Sequence, residues 1–184
     1  MLEGKTVNLR IMEKEDLALI VNWLNNPGFM GEFWDYLPLQ RCRFEIERVI
    51  ENDLFEPEYF MIEKKDRTII GYVSHFNMLH PLGKLLEIGY VIAPNERGKG
   101  YCTEAVSLIL DYLFLSRSAE RIQASTHVDN RASQRVLEKT GFKREGVMRK
   151  ALFNKGAWKD GVLYSILREE RTEPKILTKT TSGS

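Results

Sequence analysis

Apolar and polar residues alternate through the middle of the chain. Leu86, Ile88, Tyr90 and Ile92 fall on one side, and Leu85, Glu87, Gly89 and Val91 on the other, which predicts a strand over 85–92. Pro94 stops its pairing. From Ala105 the period lengthens: Ala105, Leu108, Ile109, Tyr112 and Leu113 mark one face of a helix. Between strand and helix lies a loop carrying Arg97-Gly98-Lys99-Gly100. Upstream, residues 6–11 alternate as a strand. Residues 14–25 read as a helix with Leu17, Ile20, Val21 and Leu24 on one face, ended by Pro27-Gly28. An aromatic-rich connector (29–38) leads to a second helix over 43–53. Two strands follow, 59–64 and 68–79. In the second, Ile70, Tyr72, Ser74 and Phe76 share one face, and Ile69, Gly71, Val73 and His75 the other. Downstream come a strand (121–126), a short helix capped by Asn130 and closed by Gly141, and strands over 143–153 and 158–167. The pattern predicts an α/β (α+β) domain over 1–169, a mixed sheet of about seven strands flanked by about four helices. The polar tail, 170–184, is expected to be disordered.

The glycine loop is the part with chemistry. Gly98 and Gly100 lack a Cβ, so their amides approach a ligand closely and take positive φ. The following helix leaves its first N–H groups unpaired at its positive end. Together they form a place for a phosphate or pyrophosphate, with Arg97 and Lys99 adding charge. The plain alternative is a tight turn with solvated cations. The Walker pattern is absent. The Rossmann pattern fails too, because Glu104 stands at the third glycine position and the loop lies mid-chain.

Composition narrows the class. The chain has 184 residues, 43% hydrophobic and 29% charged, as expected of one ordinary domain. A net charge of +1 gives no general field for nucleic acid or an anionic membrane. No apolar run approaches the roughly 20 residues of a bilayer span, and the first residues carry no signal-peptide core. Cys42 and Cys102 do not make a disulfide framework. His75, His80 and His127 lack metal-ligand spacing, so no metal is expected. A cytoplasmic protein, monomer or homodimer, is the expectation.

Glu87-Ile88-Gly89-Tyr90, then Arg97-Gly98-Lys99-Gly100-Tyr101 with Thr103-Glu104-Ala105, resembles the acetyl-CoA-binding core of the GNAT superfamily of N-acetyltransferases. Asn130-Arg131-Ala132-Ser133, Arg135-Val136-Leu137-Glu138-Lys139 and Gly141-Phe142 resemble the second half of that signature. The resemblance spans residues 3–168, and its flavour is the branch of ribosomal-protein N-terminal acetyltransferases with related antibiotic and polyamine enzymes. It implies that strands 85–92 and 121–126 are parallel and splay apart to admit the pantetheine arm of acetyl-CoA. It also implies cofactor contacts from Ile92, Arg97, Gly98, Lys99, Gly100, Tyr101, Cys102, Thr103, Asn130 and Ser133. A catalytically silent CoA-binding module is the rival within this fold.

Acetyl transfer to an amine needs a held thioester, a deprotonated amine, a stabilised oxyanion and a proton for the thiolate. Glu87 is the candidate base, with a substrate-ammonium anchor or a surface carboxylate as alternatives. With reference pKa values of about 7.8 and 10.4, deprotonation at pH 7 costs about 1 kcal/mol for an α-amine and about 4.6 kcal/mol for lysine. The acceptor expected first is a protein N-terminus, then a small amine, polyamine or aminoglycoside. Many superfamily members protonate the thiolate from a tyrosine on the second helix. By spacing that position is Leu137, so Ser133 is the candidate donor. Asn130 either binds cofactor or caps its helix. The helix dipole lowers the pKa of a thiol at Cys102, although a packed small residue is the stronger reading. Trp34 and Tyr36, in the connector, are candidate acceptor-site residues.

Overall fold

The structure is a computed structural model, and it describes residues 1–31, 58–80 and 83–171. Eight strands form one sheet: β1 (Leu2–Glu3), β2 (Val7–Ile11), β3 (Glu58–Lys64), β4 (Ile69–His80), β5 (Gly83–Ile92), β6 (Arg121–His127), β7 (Lys143–Asn154) and β8 (Ala157–Leu167). Their order is β1-β2-β3-β4-β5-β6-β8-β7. Every neighbouring pair is antiparallel except β5 and β6, which are parallel. The helices are α1 (Leu17–Leu24), α2 (Pro27–Met30), α3 (Tyr101–Ser116) and α4 (Arg131–Lys139).

The eighth strand, β1, is two residues long, too short for any alternation to announce it. Pro27 does not simply end a helix. It occupies the first turn of α2, where its missing N–H costs nothing, and the Asn26 side chain caps that turn by accepting from Phe29 N at 3.2 Å. The expected helix over 43–53 and the connector residues Trp34 and Tyr36 lie outside the described residues.

Each face of the sheet buries its own core. Ile62, Val73, Ile88, Leu108, Ile109 and Ile122 pack on the side covered by α3 and α4. Leu17, Ile20, Trp23, Phe29, Tyr72 and Val91 pack on the other, with the Trp23 and Phe29 rings stacked at 4.4 Å. Each fully buried aliphatic side chain contributes about 1.5–3 kcal/mol. One face assignment is corrected. β3 pairs Ile62 with Gly71 and then Glu63 with Ile69, so Ile70 is an extra residue in a bulge. Ile70 therefore joins Val73 on the α3 side, while Tyr72 faces the other core.

Two polar clamps fix α3. Glu104, in its first turn, accepts from Thr6 N at 2.9 and 3.1 Å and from the Thr6 hydroxyl. A Cβ at Gly4 would stand 2.5 Å from that carboxylate. At the far end of the domain Arg171 donates to Asp111 at 2.7 Å and to the Ser107 hydroxyl at 2.8 Å. Glu170 accepts from Leu167 N at 2.9 Å and from Lys143. Glu170 and Arg171 are thus tied back to β7 and α3.

Candidate active site

β5 and β6 pair only at Leu86–Ile122 and Glu87–Gln123. Beyond those two rungs β5 stays on β4 as far as Ile92, and β6 stays on β8 as far as His127. Each strand is held by its outer neighbour, so the inner edges part. Glu87 stands where the ladder ends. Strand alternation puts Gln123 and Ser125 on its face, and both donate to it: Gln123 Nε2 to Oε2 at 2.9 Å and Ser125 Oγ to Oε1 at 2.7 Å. The carboxylate is thereby aimed from two sides at the root of the cleft.

β5 runs into the glycine loop through a short 3-10 turn, Pro94–Glu96. Gly98 and Gly100 take φ of 77° and 89°, where L side chains are strained. A Cβ on either would meet nothing within 4 Å, so the space over the loop is open. The first backbone bond of α3 is Glu104 N to Gly100 O at 3.1 Å. No acceptor among the described residues meets the amides from Gly98 to Thr103. A helix of 16 residues therefore presents its positive end and a row of unpaired donors to that space. This is a fit for a diphosphate.

The loop side chains act differently from expectation. Arg97 is turned to the protein: its Nε donates to Ile92 O at 3.0 Å and its Nη2 to Phe29 O. Lys99 donates to Glu96 at 2.9 Å. Main-chain amides, rather than these two cations, are the donors facing the open space. Cys102 shows burial beating the dipole: desolvation pushes its thiol up to about 12. It packs beside Tyr101 against the α3 core.

Across the cleft, Asn130 caps α4 by accepting from Ser133 N at 3.1 Å. Leu137 is fully buried among core residues. His127 is buried at its strand end, where its Nδ1 accepts from Asp129 N at 3.2 Å. Ser133 faces a partner that sequence reasoning placed only as a strand residue. The Tyr90 hydroxyl lies 2.8 Å from Ser133 Oγ and 3.2 Å from Ser133 O. Burial pushes the Tyr90 phenol well above its ordinary range.

The acetyltransferase (GNAT) domain family matches residues 6–143. The chain belongs to the GNAT acetyltransferase family. It is 34% identical over 181 residues to the probable N-acetyltransferase YjcK of Bacillus subtilis, covering 92% of this chain and 98% of that one. The ribosomal-protein-serine acetyltransferase of Escherichia coli is 35% identical over 106 residues, 58% of each chain. Among solved structures, the spermidine N-acetyltransferase of Vibrio cholerae in complex with CoA and spermine superposes with a TM-score of 0.79. That match has 26% sequence identity and covers 90% of this chain and 97% of that one. As a GNAT enzyme the protein is an acetyl-CoA-dependent N-acetyltransferase. Its described residues carry no helix long and apolar enough to cross a membrane.

Proposed function

We propose that this GNAT enzyme acetylates the α-amine of a protein N-terminus, with Glu87 receiving the acceptor at the root of the cleft. The observation that carries the reading is the carboxylate itself. Gln123 and Ser125 hold one negative charge in one orientation where the strands part. A single carboxylate suits a single ammonium. It takes the proton directly or through a water, and an α-amine asks little of a base.

The amides of Gly98, Lys99, Gly100, Tyr101, Cys102 and Thr103 bind the diphosphate, and the backbone of β5 up to Ile92 lines the pantetheine path. Asn130 shapes the start of α4 as its cap, and Ser133 there donates to the leaving sulfur. Trp34 and Tyr36 are assigned to the acceptor pocket by their place in the connector alone. Acetyl-CoA places the reaction in the cytoplasm. The amine attacks the thioester carbonyl in a ternary complex and loses its proton to Glu87, the C–S bond breaks, and the thiolate leaves on a hydrogen bond from Ser133 and is protonated from water.

A polyamine acceptor is the second reading, favoured by the similarity to the spermidine enzyme with bound spermine. Thiol release from acetyl-CoA decides between them. Peptides with free N-termini should be consumed, and the same peptides with blocked N-termini should not. Faster turnover of spermidine than of every free peptide would replace the proposal with the second reading.

A further inference from the structure

The Tyr90–Ser133 contact joins the two sides of the cleft. Tyr90 lies on β5 beyond the last rung shared with β6, and Ser133 lies in the first turn of the helix that follows β6. Their hydroxyls approach to 2.8 Å.

We propose that Tyr90 is a positioning residue, resting on the reading above, that holds the Ser133 hydroxyl ready to donate to the sulfur of coenzyme A. Two arrangements satisfy the same pair of distances. In one, Tyr90 donates to Ser133 O at 3.2 Å and receives the Ser133 hydrogen. In the other, Tyr90 donates to Ser133 Oγ at 2.8 Å, and the Ser133 hydrogen turns outward. An anionic sulfur in the cleft favours the second, because a hydrogen bond to a charged acceptor is about twice as strong as a neutral one. Burial keeps Tyr90 protonated, so it remains a donor in both. Ser133 N is already committed to Asn130, which fixes the residue while its hydroxyl turns. Ser133 thereby supplies a hydrogen bond on departure of the thiolate, in a helix where Leu137 has no polar atom to offer. Without Tyr90, the Ser133 hydroxyl is free to bond nearby backbone instead.

The test compares binding of coenzyme A with that of desulfo-coenzyme A at pH 7 and pH 9, by calorimetry on the full chain. A free thiol titrates near 8.5, so the thiolate is populated across this interval. The wild type should gain preference for the sulfur-bearing ligand as pH rises, by about tenfold, the low end for one hydrogen bond to a charged acceptor. Tyr90→Phe keeps the ring and should abolish that gain while leaving affinity for desulfo-coenzyme A unchanged. Ser133→Ala should abolish it equally, and the double variant should be no worse than either. A packing role would weaken both ligands together at both pH values. A pH-dependent gain that survives in Tyr90→Phe overturns the inference, as does a wild type with no gain. Should Tyr90→Phe fail to fold, a gain retained by Ser133→Ala is equally fatal. Binding of neither ligand to the wild type would bring down the enzyme reading itself, a result distinct from these.

Discussion

Glu87 and Gly100 carry opposite kinds of demand. In the proposed mechanism Glu87 matters for its charge, so Glu87→Gln should lower kcat by about a hundredfold, the usual scale for a lost acid–base group, with the KM for acetyl-CoA nearly unchanged. Steady-state kinetics with a free-amine peptide checks this, and an unchanged kcat removes Glu87 from the mechanism. Gly100 matters for its backbone. At φ 89° an alanine costs about 1–2 kcal/mol, and its Cβ enters the open space above the amides. Gly100→Ala should therefore weaken acetyl-CoA binding about tenfold or more, read by calorimetry. In the sequence both stood out with a plain alternative beside them, a surface carboxylate for Glu87 and a tight turn for the glycine pair; the structure adds the two donors on Glu87 and the positive φ of Gly100. Cys102 read more strongly as a packed residue than as an activated thiol, and the structure packs it against the core, where desolvation outweighs the helix dipole. Arg97 and Ser133 find partners 68 and 43 positions away, Phe29 O and Tyr90, which no spacing rule relates.

Among the elements, α3 is the one most tied to its surroundings. Glu104 at its start holds the β1–β2 turn, and Asp111 in its middle holds Arg171. The Asp111 side chain is fully buried, so removing Arg171 takes an ion-pair partner from a charge that water cannot reach. Arg171→Ala should cost about 3 kcal/mol. For a domain of this size that is a fall in Tm of roughly 6–12 °C, measurable by scanning calorimetry. A change within 1–2 °C, about half a kilocalorie, would show the ion pair to be dispensable. Strands with sustained periodicity, β4, β5 and β8, were readable to within a residue or two, and the apolar run Ala105–Leu113 marked the middle of α3. β1 was not, since two residues hold no period. Pro27-Gly28 reads as a stop yet opens α2, because proline suits a helix start as well as an end. The bulge at Ile70 reverses a face without altering the alternation seen in the letters.

At the scale of the whole molecule, protons couple to folding through groups on both sides of the sheet. His75 is 3% exposed, and desolvation holds it below its ordinary 6.5, with the nearby Glu58 opposing and Arg117 assisting. The folded chain keeps it neutral while the unfolded chain takes up a proton, so stability falls as pH drops below about 6.5. A second loss follows at lower pH. Arg121, then Ser165, draw the Glu145 carboxyl from 4.5 down to about 2, and Arg10 lowers Asp16. Both contribute above their ordinary values, and the contribution drains away as the unfolded carboxylates protonate first. Urea midpoints should be flat between about pH 7 and 8, slope gently below 6.5 and fall again below about 4.5. His75→Gln should erase the first slope alone, and a wild-type midpoint constant from pH 7 to 5 would refute the assignment. The fold class was legible because a parallel pair among antiparallel strands follows from one long helical crossover.

The two shared rungs between β5 and β6 make the sheet two leaves joined at a narrow seam. A thioester arm laid along the parted edges would act as a missing strand, stitching leaf to leaf. Coenzyme A should then slow amide hydrogen exchange on both margins at once, in Ile88–Ile92 and in Ala124–His127, so that the cosubstrate the enzyme consumes is also a passing piece of its framework.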